Sequence, residues 1–235
     1  PPPSTLGRGA AFLAFIATGA LLALFGQTYQ TGADIYELFL TWALLGLPLV
    51  IAAQWSVATA AWVVVLNVAL LLFCGWNPAG GLLWAVLGGM DFRPAHLVLG
   101  AAWLNTALWF AFELWRVDAV PDWVRRLILS CAFGFGTWSG VLAVIDDGDP
   151  VAALGLAAAM IAVAAYAMRR RTDVYPLAVV MGAFIIVSLV WLGTKMTFRD
   201  EGMFLLMALW LIGTSTAAGR ILTVLTRRWR AEVAA

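Results

Sequence analysis

Charged residues are scarce in this sequence of 235 residues: 11% are Asp, Glu, Lys or Arg, whereas soluble domains contain about a quarter. Hydrophobic residues make up 63% of the chain, and its mean hydropathy is +0.93. This composition excludes an ordinary soluble domain. The formal net charge is only +1 at pH 7, which gives no reason to expect nucleic-acid binding.

Side chains that carry catalytic chemistry are also scarce. The single histidine, His96, excludes an HExxH zinc site, which needs two. A serine dyad would pair His96 with Ser139, but that serine lacks a glycine two positions earlier, and the two residues fall at different predicted depths. An intramembrane aspartyl site needs two mid-span acids, and Asp91 is off-register for one. We therefore expect a protein that is not an enzyme and that needs no cofactor.

Few residues suit a metal or a disulfide. The run Asp146-Asp147-Gly148-Asp149 could bind a hard cation through clustered carboxylates. It lacks the spacing of a calcium loop and precedes a helix start, which favours a solvated turn, so we predict no metal site. The two cysteines, Cys74 and Cys131, are predicted near opposite ends of their spans, where they are expected to pack and not to form a disulfide.

Long apolar runs dominate what is present. Each has about 18–22 residues with few charges, and a helix of that length crosses a hydrocarbon core about 30 Å thick. The in/out alternation of a β-barrel strand is missing. The predicted fold is all-α: a polytopic transmembrane helix bundle that forms a single membrane domain over residues 1–235. Its spans lie near residues 9–26, 35–53, 57–74, 96–115, 127–145, 151–168, 174–193 and 203–224.

The segment 81–90 is too short to span, because ten residues of helix cover about 15 Å. Asn77 and Pro78 suit an N-cap and a first helical residue, so we predict an outer-face half-helix over residues 78–90. Eight spans then place both termini in the cytoplasm together with most of the 14 Lys and Arg residues. A spanning segment 81–90 also satisfies the positive-inside rule, so length and not charge favours the half-helix.

The ends of the chain add two expectations. The sequence begins Pro1-Pro2-Pro3 without a methionine, so we expect the native N-terminus to be missing. The basic runs 169–171 and 227–230 lie on the predicted inner side. There they are expected to orient the protein and to contact anionic lipid of the inner leaflet.

Local patterns predict where helices start. Asp34 and Glu37 have capping-box spacing before the span 35–53. Asp149 precedes Pro150, which is the arrangement of an N-cap and a first-position proline.

Other patterns predict packing. Gly136 and Gly140 form a GxxxG motif, which favours close helix approach within the chain or between subunits. Gly155 with Ala159 is a second pair of small residues at the same spacing. Mid-span tryptophans such as Trp42 favour bulky packing, and an aromatic-lined cavity is the alternative.

The turn between the first two spans, residues 26–37, is the most polar junction of the chain. Capping accounts for its acids, whereas Gln27, Tyr29 and Gln30 have no required structural role. On the predicted topology they share the outer face with the half-helix, and such elements often line substrate or ion sites. The candidate ligand-binding residues are Gln27, Tyr29, Gln30 and Asp34, with Asn67 and Asn105 inside the spans. Alternatively, the turn side chains bond to helix ends and each Asn bonds between helices.

The turn Gly26-Gln27-Thr28-Tyr29-Gln30-Thr31-Gly32-Ala33-Asp34, with residues 38–44 and Leu47-Pro48, resembles a family of predicted bacterial inner-membrane proteins. The family is catalogued as domain of unknown function 2157 and carries a similar Gly-Gln-x-Tyr-x-x-Gly-x-Asp turn. The resemblance is specific over about residues 10–75. It implies a bacterial inner-membrane location and a multi-span fold, and it implies no established activity or catalytic residue.

Two classes of function remain open, and an intramembrane enzyme is a more distant alternative. The first is a protein that binds or transports a small polar or amphiphilic ligand at the outer-face polar cluster. The second is a non-catalytic assembly or accessory subunit, as a homo-oligomer or beside a membrane partner. Membrane lipids are expected partners in both cases, and nucleic acid in neither.

Overall fold

The computed structural model describes residues 4–29, 34–76, 93–114, 120–145, 148–170, 173–195 and 201–234. These residues form eight α-helices and no strand. The helices are α1 (Thr5–Tyr29), α2 (Ile35–Ala53), α3 (Ser56–Trp76), α4 (Pro94–Leu114), α5 (Asp122–Ile145), α6 (Pro150–Arg170), α7 (Tyr175–Lys195) and α8 (Glu201–Ala234).

All eight helices are long and apolar enough to cross a membrane. The prediction of an all-α, multi-pass fold with eight candidate spans is therefore confirmed. The predicted half-helix over residues 78–90 lies outside the described residues. The prediction of a single membrane domain over residues 1–235 stays a prediction.

Helix ends depart from the predicted spans where arginines flank the apolar core. The fifth span was expected to begin at residue 127, but α5 already begins at Asp122, before Arg125 and Arg126. The last span was expected to end at residue 224, but α8 continues through Arg227 and Arg228 to Ala234. Arginine ends a hydropathic run without ending a helix, because it is a good helix former.

The described residues group into two compact units. The first comprises those within Pro1–Phe92 and Trp109–Ile128, and the second those within Arg93–Leu108 and Leu129–Ala235. Each unit has its own packing.

In the first unit, α1 and α2 interlock through two aromatic rings and two glycines. Trp42 lies on Gly19, where a Cβ atom would stand 2.6 Å from the indole Cδ2. Phe15 lies on Gly46 in the same way, and a Cβ there would be 2.5 Å from ring carbon Cδ2. The two rings stack on each other with centroids 5.3 Å apart. The glycines thus allow the backbones to approach closely around this aromatic pair.

Two tryptophans also donate hydrogen bonds between helices. The Trp42 indole Nε1 donates to the carbonyl oxygen of Phe15 at 2.8 Å, and Trp62 Nε1 of α3 donates to Ala43 of α2 at 2.8 Å. These indoles satisfy their polar atom inside an apolar bundle. Both tryptophans thus follow the packing interpretation of the mid-span tryptophans.

In the second unit, the small residues predicted to permit close approach are used within the chain. Leu156 of α6 lies over Gly140 of α5, where a Cβ would be 2.6 Å from its Cδ2. Leu99 of α4 lies over Gly155 of α6, with its Cδ2 2.5 Å from the position of a Cβ. The GxxxG face therefore packs α5 against α6.

Candidate functional site

The predicted outer-face cluster is only partly described. Gln27 lies in the last turn of α1 with its side chain exposed. Tyr29 ends this helix, and its side chain lies outside the described residues together with Gln30. The described part of the cluster therefore consists of Gln27, Asp34 and the first residues of α2. We refer to this part as the α1–α2 polar turn, formed by Gln27, Asp34, Tyr36 and Glu37.

Asp34 occupies the N-cap position of α2, as predicted, but the predicted capping bond is not made. Its backbone is extended, with φ −68° and ψ 150°, and its carboxylate makes no capping hydrogen bond. The Glu37 amide donates instead to the backbone carbonyl of Asp34 at 3.0 Å. A capping box requires side-chain acceptors at both positions. The half-buried Asp34 carboxylate is therefore not committed to the α2 amides.

Glu37 has a different partner from the one the spacing predicts. The buried Tyr36 hydroxyl lies 3.2 Å from Glu37 Oε1 and donates to it. Tyr36 also packs against Phe73 of α3, with ring centroids 5.3 Å apart. The ring thus fixes the direction of a carboxylate at the start of α2.

The two mid-span asparagines hydrogen-bond to their own helices. Asn67 Nδ2 donates to the carbonyl of Val63 at 2.8 Å, and Asn105 Nδ2 donates to that of Ala101 at 3.0 Å. Asn105 is fully buried, and Asn67 is partly buried. Asn67 belongs to the first unit, as the turn does, and Asn105 belongs to the second. Their ligand-binding role stays a prediction.

A second polar arrangement lies in the second unit, at the start of α4 and of α6. His96 Nε2 lies 2.7 Å from Asp149 Oδ2, and Arg93 Nη1 lies 3.7 Å from the same oxygen. The Asp149 side chain is 3% exposed, against 29% for His96 and 62% for Arg93. We call these three residues the polar latch. It joins the start of α4 to the start of α6.

Asp149 also caps α6, as the sequence predicted. Its Oδ1 accepts hydrogen bonds from the amides of Val151 at 2.9 Å and Ala152 at 3.3 Å. Burial acts to raise the pKa of the Asp149 carboxyl, but these two amides and the neighbouring His96 together hold it below its ordinary value. One oxygen therefore serves the helix end and the other lies against His96 and Arg93, which suits a fixed anchor better than a ligand site.

Ser139 lies beside this latch, contrary to the depth argument made from the sequence. Its hydroxyl is fully buried and donates to the carbonyl of Ala95, the residue before His96, at 2.8 Å. The expectation that Ser139 and His96 lie at different depths was therefore wrong. The serine hydroxyl thus donates to a backbone carbonyl of α4 and ties α5 to α4.

Sequence reasoning recognised Asp149 as a cap but missed its pairing with His96. A signal was available, since the single histidine, in the first turn of one apolar helix, and a capping acid directly before another both need a polar partner. Among the residues that the structure describes, no three His, Cys, Asp or Glu side chains form a group able to hold a metal ion.

The latch makes a testable contribution to stability. Because Asn can still cap a helix, Asp149→Asn removes mainly the charge. The folded-state pKa of Asp149 is lowered, so its charge stabilises the fold above the ordinary Asp value of about 3.9 and stops doing so as pH falls through the folded value. Near neutral pH we expect wild type to have a higher melting temperature than Asp149→Asn. The difference should shrink below about pH 4 in thermal unfolding in detergent. A difference that is independent of pH would contradict the assignment.

Comparison with known proteins supports the resemblance seen in the turn. Residues 3–59 match the sequence model of a family described as "Predicted membrane protein (DUF2157)". The match covers α1, α2 and the turn between them, including the interlock of Phe15, Gly19, Trp42 and Gly46. No curated protein and no solved structure matches the chain.

Proposed function

We propose that this chain is a non-enzymatic, multi-pass protein of the bacterial inner membrane that binds or transports a small polar or amphiphilic ligand at the α1–α2 polar turn. The observation that supports the proposal is Asp34, which sits at an N-cap without using its carboxylate to cap the helix. Both termini face the cytoplasm in this proposal. The turn lies within the segment that matches the family, residues 3–59.

The chemistry of the turn favours a ligand that carries hydrogen-bond donors. Asp34 and Glu37 present carboxylate oxygens at the start of α2, and Gln27 presents an exposed amide at the end of α1. Carboxylates accept hydrogen bonds from hydroxyl and amine groups, and an amide can both donate and accept. The apolar helices next to the turn would accept the hydrophobic part of an amphiphile. Gln30 and the Tyr29 side chain lie outside the described residues and remain site residues predicted from the sequence.

A thermal-shift screen of the purified full chain tests the proposal, using a panel of small amines, polyols and amphiphiles. We expect at least one compound to raise the melting temperature of wild type and to do so much less for Gln27→Leu/Asp34→Asn. Thr28→Val is the matched control, because the Thr28 hydroxyl already donates to the Leu24 carbonyl at 2.8 Å. A compound that stabilises all three proteins equally binds elsewhere. The proposal fails if no compound distinguishes the double variant from wild type.

A second candidate function, that of an accessory subunit, is supported by the exposure of α8. Only 6% of the most apolar 18-residue stretch of α8 is buried within the chain, whereas 50% of the corresponding stretch of α5 is buried. A membrane partner or a second copy could cover such a helix, and so could lipid alone. Mass measurement of the chain extracted in native lipid separates these cases. A bare monomer in lipid would count against the accessory role.

A further inference from the structure

The last helix is longer than a membrane span and is fixed at its far end. Its 34 residues extend about 51 Å, whereas a hydrocarbon core is about 30 Å thick. Near its end, Trp229 is 7% exposed and packs with Ala167 of α6 and Leu177 of α7. This contact determines which side of the C-terminal part of α8 faces the unit and which side faces outward.

The outward side carries two arginines two turns apart. Trp229 is nine residues, or two and a half turns, beyond Arg220, so the two side chains leave opposite sides of the helix. Arg227 is seven residues beyond Arg220 and shares its side, with Val224 between them. All three of these outward residues are exposed. The face opposite the Trp229 contact is thus a stripe of cation, apolar residue and cation.

Towards the membrane interior the same face carries small side chains, which leave a shallow surface along the helix. Gly213 lies seven residues before Arg220, and Ala217 lies three before it, so both belong to this side of the helix. Both are exposed, and a Cβ atom at Gly213 would have nothing within 4 Å. Small residues leave room along the helix for an extended hydrocarbon chain. The arginines stand at the end of this surface, where a headgroup would lie.

The surrounding charge is strongly positive. Within the described residues of 164–177 and 220–232 there are six arginines, Arg169, Arg170, Arg220, Arg227, Arg228 and Arg230, against the carboxylates Asp173 and Glu232. Asp173 Oδ1 already accepts the amide hydrogen of Tyr175 at 3.0 Å. An occupant of this surface is therefore expected to be anionic.

We propose that the face of α8 formed by Gly213, Ala217, Arg220, Val224 and Arg227 binds one anionic phospholipid, with its phosphate between the two arginines and an acyl chain along the small residues. Guanidinium groups bind phosphate oxygens in bidentate fashion. The arginines are about 10 Å apart along the axis, and their long side chains can converge on one phosphate because both can extend towards the interface. A second copy docked symmetrically through the same face would bring like charges together, which disfavours that occupant.

Lipid titration followed by native mass spectrometry of the purified full chain tests this site. The probes are phosphatidylglycerol, phosphatidylcholine and soluble glycerol phosphate. Each arginine near a membrane surface contributes about fivefold to anionic-lipid affinity, so Arg220→Gln/Arg227→Gln should weaken phosphatidylglycerol binding about 25-fold. Phosphatidylcholine should bind wild type more weakly than phosphatidylglycerol. Glycerol phosphate should not compete, because it lacks the acyl chain.

Two further variants distinguish a defined lipid site from general electrostatic attraction of anionic lipid to the arginines. Arg169→Gln/Arg170→Gln removes the same charge from the same end of the unit but from α6, and it should retain most of the binding. Ala217→Leu keeps every charge, fills the shallow surface and should also weaken phosphatidylglycerol binding. Thermal unfolding in neutral detergent checks that each variant is folded, and Gln and Leu are good helix formers.

Three results would overturn the proposed lipid site. Equal losses from the two arginine pairs would show diffuse attraction without a site. Competition by glycerol phosphate would show a phosphate site without a lipid. A dimer mass that disappears in Ala217→Leu would show that a second copy occupies this face.

Discussion

Replacing Gly19 by alanine is expected to lower the free energy of unfolding by about 1–3 kcal/mol, the usual cost of overpacking a well-packed contact. The added methyl group would stand 2.6 Å from two carbons of the Trp42 indole, Cδ2 and Cζ2. The ring cannot swing aside without loss, because its Nε1 is held by the Phe15 carbonyl at 2.8 Å. Unfolding of the purified chain by titration with a denaturing detergent measures the difference.

Gly9→Ala provides the matched control on the same helix. A Cβ at Gly9 would have nothing within 4 Å, so only helix propensity changes there. Alanine is favoured over glycine in a helix by about 1 kcal/mol, and Gly9→Ala should therefore stabilise the protein slightly. Opposite signs for one substitution at two positions of α1 would identify the Trp42 contact as the cause. Similar effects at both positions would contradict it.

The number and type of the helices could be predicted from the sequence because hydrophobicity over a span's length is a local property. The bounds of α2 agree with the predicted span 35–53, since Asp34 and the turn at Gln54 and Trp55 limit it closely. The bounds of α5 and α8 were missed by several residues. Hydropathy indicates where the apolar run of the sequence ends, whereas helix capping and helix propensity decide where the helix ends.

The candidate site was less predictable, because spacing does not say which of several acceptors a backbone amide will use. Asp34 and Glu37 have the spacing of a capping box, yet Glu37 pairs with Tyr36 and Asp34 leaves the α2 amides without a side-chain cap. The pairing of His96 with Asp149 was harder still to predict. His96 and Asp149 are distant in the chain and come together only when α4 and α6 are packed.

Packing partners also escaped prediction. The GxxxG motif predicted close approach but left open whether the approach is within the chain or between subunits. Leu156 over Gly140 and Leu99 over Gly155 show that these contacts are within the chain. An interface with a partner through this part of α5 would therefore have to displace Leu156, whereas α8 is exposed without any rearrangement.

Replacing Gly140 by alanine should be as costly as the change at Gly19, and for the same physical reason. The new methyl group would lie 2.6 Å from Leu156 Cδ2 and 2.9 Å from Val187 Cγ2, so α6 and α7 both restrict it. We expect a loss of about 1–3 kcal/mol in the free energy of unfolding. Gly134→Ala, on the same helix, is the control, because a Cβ there would have nothing within 4 Å.

A double-mutant cycle assigns that cost to a specific pair. Leu156→Ala alone opens a cavity and should cost about 2–5 kcal/mol. In Gly140→Ala/Leu156→Ala the added methyl group occupies part of the space that the leucine leaves, so the double variant should lose less than the sum of the two single losses. Detergent-induced unfolding of the four proteins gives the coupling energy. Strict additivity would mean that Val187, and not Leu156, resists the added methyl group.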